Sequence, residues 1–208
     1  MRRCVLLSAC PVGAAMARYL RPDDLLIACD AGWKNAAALG RQPDLVVGDF
    51  DSAPPPTAGQ TVVLPAVKDD TDTHYAARLA AGRGAKEVLM LGALGGVRLE
   101  HTFASLATAL WLQKQGIDTL LANERTEIRI LTAGRSLRLA RQSWGYFSLL
   151  PLEGAAAGVT ITGARYPLAG ATLTPDWPLG VSNEFTAPEA EIRLLSGSLA
   201  VFCTLKDR

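Results

Sequence analysis

Up to about residue 125, short apolar runs alternate with helix-like stretches; beyond that point the helical stretches cease. The runs at Val5–Ala9, Leu25–Cys29, Leu45–Val47, Val62–Leu64, Val88–Leu91 and Asp118–Ala122 read as strands. Between them, Val12–Leu20, Trp33–Leu39 and Asp72–Ala81 read as helices, the latter two with Gly40 and Gly82 placed to end them. From Phe103 onward, apolar residues fall at Leu106, Ala107, Leu110 and Trp111, the spacing of an amphipathic helix. Apolar strands that alternate with helices indicate a parallel sheet covered on both faces. After residue 125 the runs Glu127–Leu131, Ser136–Ala140, Tyr146–Leu150, Val159–Thr162, Ala171–Thr174, Glu189–Leu195 and Leu199–Leu205 are short and often alternating, with turn residues between them. That pattern suggests a β-sandwich or a small barrel. The expected architecture is α/β plus all-β: a Rossmann-like parallel-sheet domain over residues 1–125, then a β-sandwich over 126–208.

Composition removes several function classes. The chain has 208 residues, 21 Lys and Arg against 20 Asp and Glu, and a formal net charge of +1. Nucleic-acid binding needs clustered basic residues, so nucleic acid is an unexpected partner. A helix needs roughly 18–20 apolar residues to cross a bilayer. The best stretch, Val88–Val97, is much shorter and contains three glycines, so no membrane role is expected. Cys4, Cys10, Cys29 and Cys203 lack paired spacing, and His74 and His101 are the only imidazoles. Reduced, buried thiols in a cytoplasmic protein are the plain reading. The N-terminal Arg2-Arg3 followed by Cys4–Cys10 imitates a secretion signal, but Pro11 interrupts the apolar core too early, and a first buried strand is expected there instead.

Acidic residues collect where strands end. Asp30 follows Leu25–Cys29, Asp49 and Asp51 follow Leu45–Val47, and Asp69, Asp70 and Asp72 run into a helix N-terminus. Open parallel sheets bind ligands outside the carboxyl ends of their strands, so these clusters would converge on one crevice. Converging carboxylates repel one another unless a cation neutralises them, and an all-oxygen set suits Mg²⁺. Any single Asp reads equally well as a cap. Asp49 and Asp51 together are less easily explained so, because alternate residues of an extended chain point the same way. Gly92-Ala93-Leu94-Gly95-Gly96 lies between a strand and a helix, where backbone amides can approach a phosphate, and Arg98, Glu100 and His101 follow it. In the second half, Trp177–Phe185 reads as a polar, structured loop carrying an aromatic.

Taken together, these segments resemble the thiamine pyrophosphokinase family. The resemblance runs through Cys29-Asp30-Ala31-Gly32, Pro43-Asp44-Leu45-Val46-Val47-Gly48-Asp49-Phe50-Asp51-Ser52, Asp69-Asp70-Thr71-Asp72, Gly92–His101, and then Ser148–Leu152, Tyr166–Leu168 and Gly180–Phe185. The chain departs from the family pattern at Ala31, Lys34, Tyr75 and Glu100, and Val97 looks like an insertion. The resemblance implies transfer of pyrophosphate from ATP to the thiamine hydroxyl. It further implies Mg²⁺ on Asp49, Asp51 and Asp69, with Asp72 or Asp30 orienting or deprotonating the hydroxyl. Lys68, Thr71, Gly95, Gly96, Arg98 and His101 are the candidates for the nucleotide, and Trp177, Ser182 and Asn183 for thiamine. A homodimer with thiamine at the subunit interface is implied as well. Two rivals stand beside it. One is a haloacid-dehalogenase-like phosphatase using an Asp-x-Asp, against which Ala53 stands where Thr or Val is wanted; the other is a non-catalytic nucleotide-sensing module.

Overall fold

The computed structural model describes residues 3–50, 54, 60–67, 69–142 and 144–206. The chain divides into two compact units, Met1–Glu124 and Arg125–Arg208.

The first unit contains strands β1 (Cys4–Leu7), β2 (Leu25–Cys29), β3 (Leu45–Gly48), β4 (Gln60–Val63), β5 (Glu87–Leu91) and β6 (Asp118–Ala122). They lie in the order β4-β3-β2-β1-β5-β6, and every pair is parallel. Three strands step outward from β1, and the chain then returns to lay β5 on the opposite side of it. The central strands are apolar along their whole length because both faces are covered: β1 and β3 are buried at every residue. Leu7, Leu26, Ala28, Val46, Leu89 and Leu91 belong to one buried cluster with Met16, Ala36 and Leu39. Edge strand β4 is largely exposed.

Among the described residues, two α-helices accompany the sheet, α1 (Asp72–Gly82) and α2 (Leu99–Lys114). The segments 12–20 and 33–39 are not α-helices as their sequence predicts. They form 3₁₀ turns at Ala14–Tyr19, Asp30–Asn35 and Ala37–Leu39, none with a side-chain N-cap bond. Stretches this short cannot repay the nucleation of an α-helix, whereas a 3₁₀ turn serves as a compact connector. Gly40 ends the last of them with φ +65°. Helix α2 begins four residues before Phe103, and its buried face runs through Leu106, Ala109, Leu110 and Leu112; Phe103 and Ala107, expected on that face, are exposed.

At the other end of the sheet, Arg3 donates Nε and Nη2 to Asp24 at 2.8 and 2.7 Å, and the backbone N–H of Arg21 adds a bond of 2.7 Å to the same carboxylate. Asp24 is 1% exposed. This buried pair fastens the residue before β1 to the turn that starts β2.

The second unit is built from antiparallel strands. β7 (Thr126–Thr132), β13 (Ser198–Leu205) and β9 (Trp144–Pro151) pair in that order, β13 in the middle. A separate four-stranded sheet has the order β11 (Leu168–Leu173), β10 (Ala156–Thr162), β12 (Glu189–Arg193) and β8 (Ser136–Ala140). Residues of both sheets share one core that includes Leu131, Leu139, Phe147, Val159, Ile161, Ile192, Leu199 and Val201. Phe147 packs on Phe185 with ring centres 4.9 Å apart. Among the described residues, no helix is long and apolar enough to cross a membrane.

Candidate active site

Three elements of the first unit end at one point. Asp30 is the first residue after β2, Asp49 the first after β3, and Asp72 the first residue of α1. One carboxylate oxygen from each lies within 4.8 Å of the other two. Their approach depends on local backbone. Asp30 has φ +46° and Phe50 φ +58°, the left-handed region that non-glycine residues seldom enter. Gly48 lets β3 come close, because a Cβ there would lie 2.9 Å from the Cα of Asp30. Strained residues of this kind cluster at functional sites, where the surrounding fold holds them in place.

All three carboxylates are partly buried. Oδ1 of Asp30 is buried and has no hydrogen-bond partner among the described residues. A buried, unmatched carboxylate oxygen beside two further carboxylates is costly until positive charge reaches it. The donor set contains only oxygen, which matches a hard divalent cation and not a thiolate- or imidazole-preferring one.

Among the described residues, the other acidic candidates lie outside this trio. Asp69 is exposed and is not one of the three. Asp70 pairs with Arg78 at 2.6 Å. Asp51 and Lys68 lie outside the described residues. Thr71 caps α1: its Oγ1 accepts from the N–H of His74 at 3.1 Å. His74 in turn places Nδ1 3.1 Å from Thr108 Oγ1, with its ring edge toward Trp111.

Sequence reasoning missed the bonds behind the carboxylates. Ser8, at the end of β1, places its hydroxyl 3.0 Å from that of Thr73, the neighbour of Asp72. Asn35 donates Nδ2 to the carbonyls of Ser8 and Cys10, both at 2.9 Å. Cys29, the neighbour of Asp30, is buried, and that burial pushes its thiol up to about 12.

The glycine-rich segment opens α2 as expected. Gly92, Gly95 and Gly96 all have positive φ, and Thr102 Oγ1 accepts from the N–H of Gly95 at 3.0 Å. Gly95, Gly96, Arg98 and His101 are exposed. Arg98 donates Nε to Glu100 at 2.8 Å across the solvent face.

In the second unit Trp177 is 67% exposed. Ser182 is exposed with φ +62°, and its N–H donates to Ser148 Oγ at 3.0 Å. Asn183 is different: it is buried, its Nδ2 donates to the carbonyl of Tyr166 at 2.8 Å, and its Oδ1 accepts from the N–H groups of Tyr166 and Glu184. The Asn183 amide braces the segment against residue 166.

Comparison with known proteins agrees with this layout. The family profile described as "Thiamin pyrophosphokinase, catalytic domain" matches residues 16–121, and "Thiamin pyrophosphokinase, vitamin B1 binding domain" matches residues 136–199. A curated thiamine pyrophosphokinase of Bacillus subtilis (strain 168) is 25% identical over 188 residues, covering 87% of each chain. The crystal structure of thiamine pyrophosphokinase from Bacillus subtilis shares the fold, with a TM-score of 0.89 at 21% identity over 99% of this chain and 100% of that one. Thiamin pyrophosphokinase from Candida albicans superposes with a TM-score of 0.81 at 13% identity, covering 99% of this chain and 89% of its own. The first profile alone spans the three carboxylates and half of the chain, and on that match the chain belongs to the thiamin pyrophosphokinase family.

Proposed function

We propose that the protein transfers the pyrophosphoryl unit of ATP to the hydroxyl oxygen of thiamine, giving thiamine diphosphate and AMP. The observation that carries this reading is the carboxylate trio Asp30, Asp49 and Asp72 at the carboxyl ends of parallel strands, within a chain of this family. We read the first unit as Rossmann-like, because its strand order reverses between β1 and β5 and ligands of such sheets bind at the reversal. The second unit we read as a β-sandwich.

Mg²⁺ fits the residues present. Three carboxylates, each with an oxygen within 4.8 Å of the other two, and a buried Asp30 Oδ1 with no hydrogen-bond partner among the described residues form a site that suits a hard cation. Asp30, Asp49 and Asp72 would hold it, with Asp51 and exposed Asp69 contributing directly or through water. Bound there, Mg²⁺ would neutralise charge spreading over the transferring phosphate oxygens. The chain's own groups do the rest. Asp30 or Asp72, whichever keeps a carboxylate oxygen clear of the cation, orients the thiamine hydroxyl and accepts its proton as the bond to the β-phosphorus forms and the bond from that phosphorus to the AMP oxygen breaks. The Gly95–Gly96 turn, with Lys68, Thr71, Arg98 and His101, receives the nucleotide, and the positive end of α2 favours its charge. Trp177 and Ser182 contact thiamine, the indole face suiting a cationic thiazolium, while Asn183 shapes that segment. We further propose a cytoplasmic homodimer in which these residues serve the partner's site.

Incubating the purified protein with ATP, Mg²⁺ and thiamine tests the reading. AMP and thiamine diphosphate should appear in equal amounts. Release of inorganic phosphate with an aspartyl-phosphate that hydroxylamine cleaves would point instead to a phosphatase. Nucleotide binding without AMP would point to a sensor.

A further inference from the structure

The turn that ends β1 carries no carboxylate, yet it touches two of the segments that do. Ser8 is 8% exposed and faces both. Its hydroxyl meets Thr73, which adjoins Asp72, at 3.0 Å. Its carbonyl, together with that of Cys10, receives Nδ2 of Asn35, and Asn35 closes the 3₁₀ turn that Asp30 opens. The turn is itself fixed from the opposite side. The N–H of Ser8 donates to Leu91 at 2.8 Å and that of Cys10 to Gly92 at 3.0 Å. Gly92 approaches so closely that a Cβ there would lie 2.3 Å from the Ser8 carbonyl oxygen.

We infer that Ser8, Thr73 and Asn35 are positioning residues that set the spacing of the carboxylate trio. One arm, Ser8 to Thr73, fixes the first turn of α1 and with it Asp72. The other, Asn35 to the carbonyls of Ser8 and Cys10, fixes the turn that holds Asp30 at φ +46°. Asp49 needs no arm, since Gly48 abuts Asp30 directly. The β1 turn is thus the common reference for three ligands that come from three separate segments, and partners of this kind govern cation affinity. This inference rests on the trio being a cation site.

Mn²⁺ titration followed by electron paramagnetic resonance, on nucleotide-free protein, tests it without turnover. Wild-type protein should bind Mn²⁺, and Asp49→Asn should not. Thr73→Val and Asn35→Ala should each weaken binding by about 10-fold or more. Thr73→Ser keeps the hydroxyl and should remain near wild type. In Ser8→Ala/Thr73→Val the loss should equal that of one single variant, since both remove the same bond. Steady-state kinetics should show the Mg²⁺ requirement raised while KM for thiamine stays within about two-fold, a split that general loss of folding would not produce. If Thr73→Val fails to fold, Asn35→Ala and the near-isosteric Asn35→Asp decide the matter. Wild-type Mn²⁺ affinity in the folded variants, with only the melting temperature lowered, overturns the positioning role and leaves the cation site standing. Absence of Mn²⁺ binding in wild-type protein overturns both.

Discussion

Asp30, Asp49 and Asp72 each follow a strand or open a helix, and their oxygens meet within 4.8 Å. Substituting any one of them by Asn should reduce turnover by ~10²-fold or more, the scale on which a catalytic cation acts. Melting temperature should hold or rise, because removing one of three mutually repelling charges does not destabilise the fold. Asp69→Asn should be milder, about 10-fold, for a carboxylate that is exposed and set apart from the trio. Steady-state rates at saturating Mg²⁺ alongside thermal melts check both statements; wild-type turnover in Asp49→Asn would refute the assignment. The meeting of these carboxylates is legible in the sequence, since position after a strand fixes which end of the sheet a residue occupies. Which of them stand closest is not legible. That depends on the left-handed φ of Asp30 and on the contact with Gly48, and neither has a sequence signature at that range. Ser8, Thr73 and Asn35 escape notice for a related reason: a hydroxyl or a side-chain amide reads alike in sequence whether it faces water or a neighbour.

Among the elements, the anchoring of β1 to β2 rests on Arg3 and Asp24. Burial alone would raise the Asp24 carboxyl and is the largest single influence, but the hydrogen bonds and charge of Arg3, with the Arg21 N–H, together carry it below its ordinary value. A carboxyl lowered on folding stabilises the native state at pH above its unfolded value near 3.8 and loses that contribution as pH falls through the lower folded value. Asp24→Asn should therefore cost about 3 kcal/mol at neutral pH, since it leaves Arg3 largely buried without its counter-charge. The difference from wild type should shrink on acidification below about pH 4. Chemical unfolding at several pH values measures it, and a pH-independent difference would contradict the account. At this scale the apolar runs of 4–5 residues gave away the parallel strands, because strands covered on both faces need no alternation. The 3₁₀ turns read as α-helix in the sequence because a helical spacing over six residues does not distinguish three residues per turn from 3.6. Helix α2 lies where the apolar spacing predicts it, but with Phe103 turned to solvent.

For the molecule as a whole, the proposed division of labour makes the two units separable by kinetics. Trp177→Ala should raise KM for thiamine by about 2- to 30-fold, the worth of one aromatic face, and leave KM for ATP little changed. If sites are shared between subunits, mixing Asp49→Asn protein with Trp177→Ala protein under exchange conditions should restore activity above either parent, since one site in each heterodimer is then intact. Unchanged thiamine kinetics in Trp177→Ala would refute the aromatic contact; altered kinetics without complementation would refute the shared site alone. The cysteines offer a view of each unit that needs no substrate. Cys29 in the first unit and Cys203 in the second are buried, and burial pushes both thiols up to about 12, while Cys10 is only half-buried. An alkylating agent attacks thiolate and needs access; partial burial raises the Cys10 thiol too, so native protein should gain its first iodoacetamide adduct at Cys10, slowly at neutral pH and faster as pH rises. Labelling at Cys29 and at Cys203 then waits on the opening of the unit that encloses each, and mass spectrometry of the two peptides over time would clock how often either half of the chain breathes.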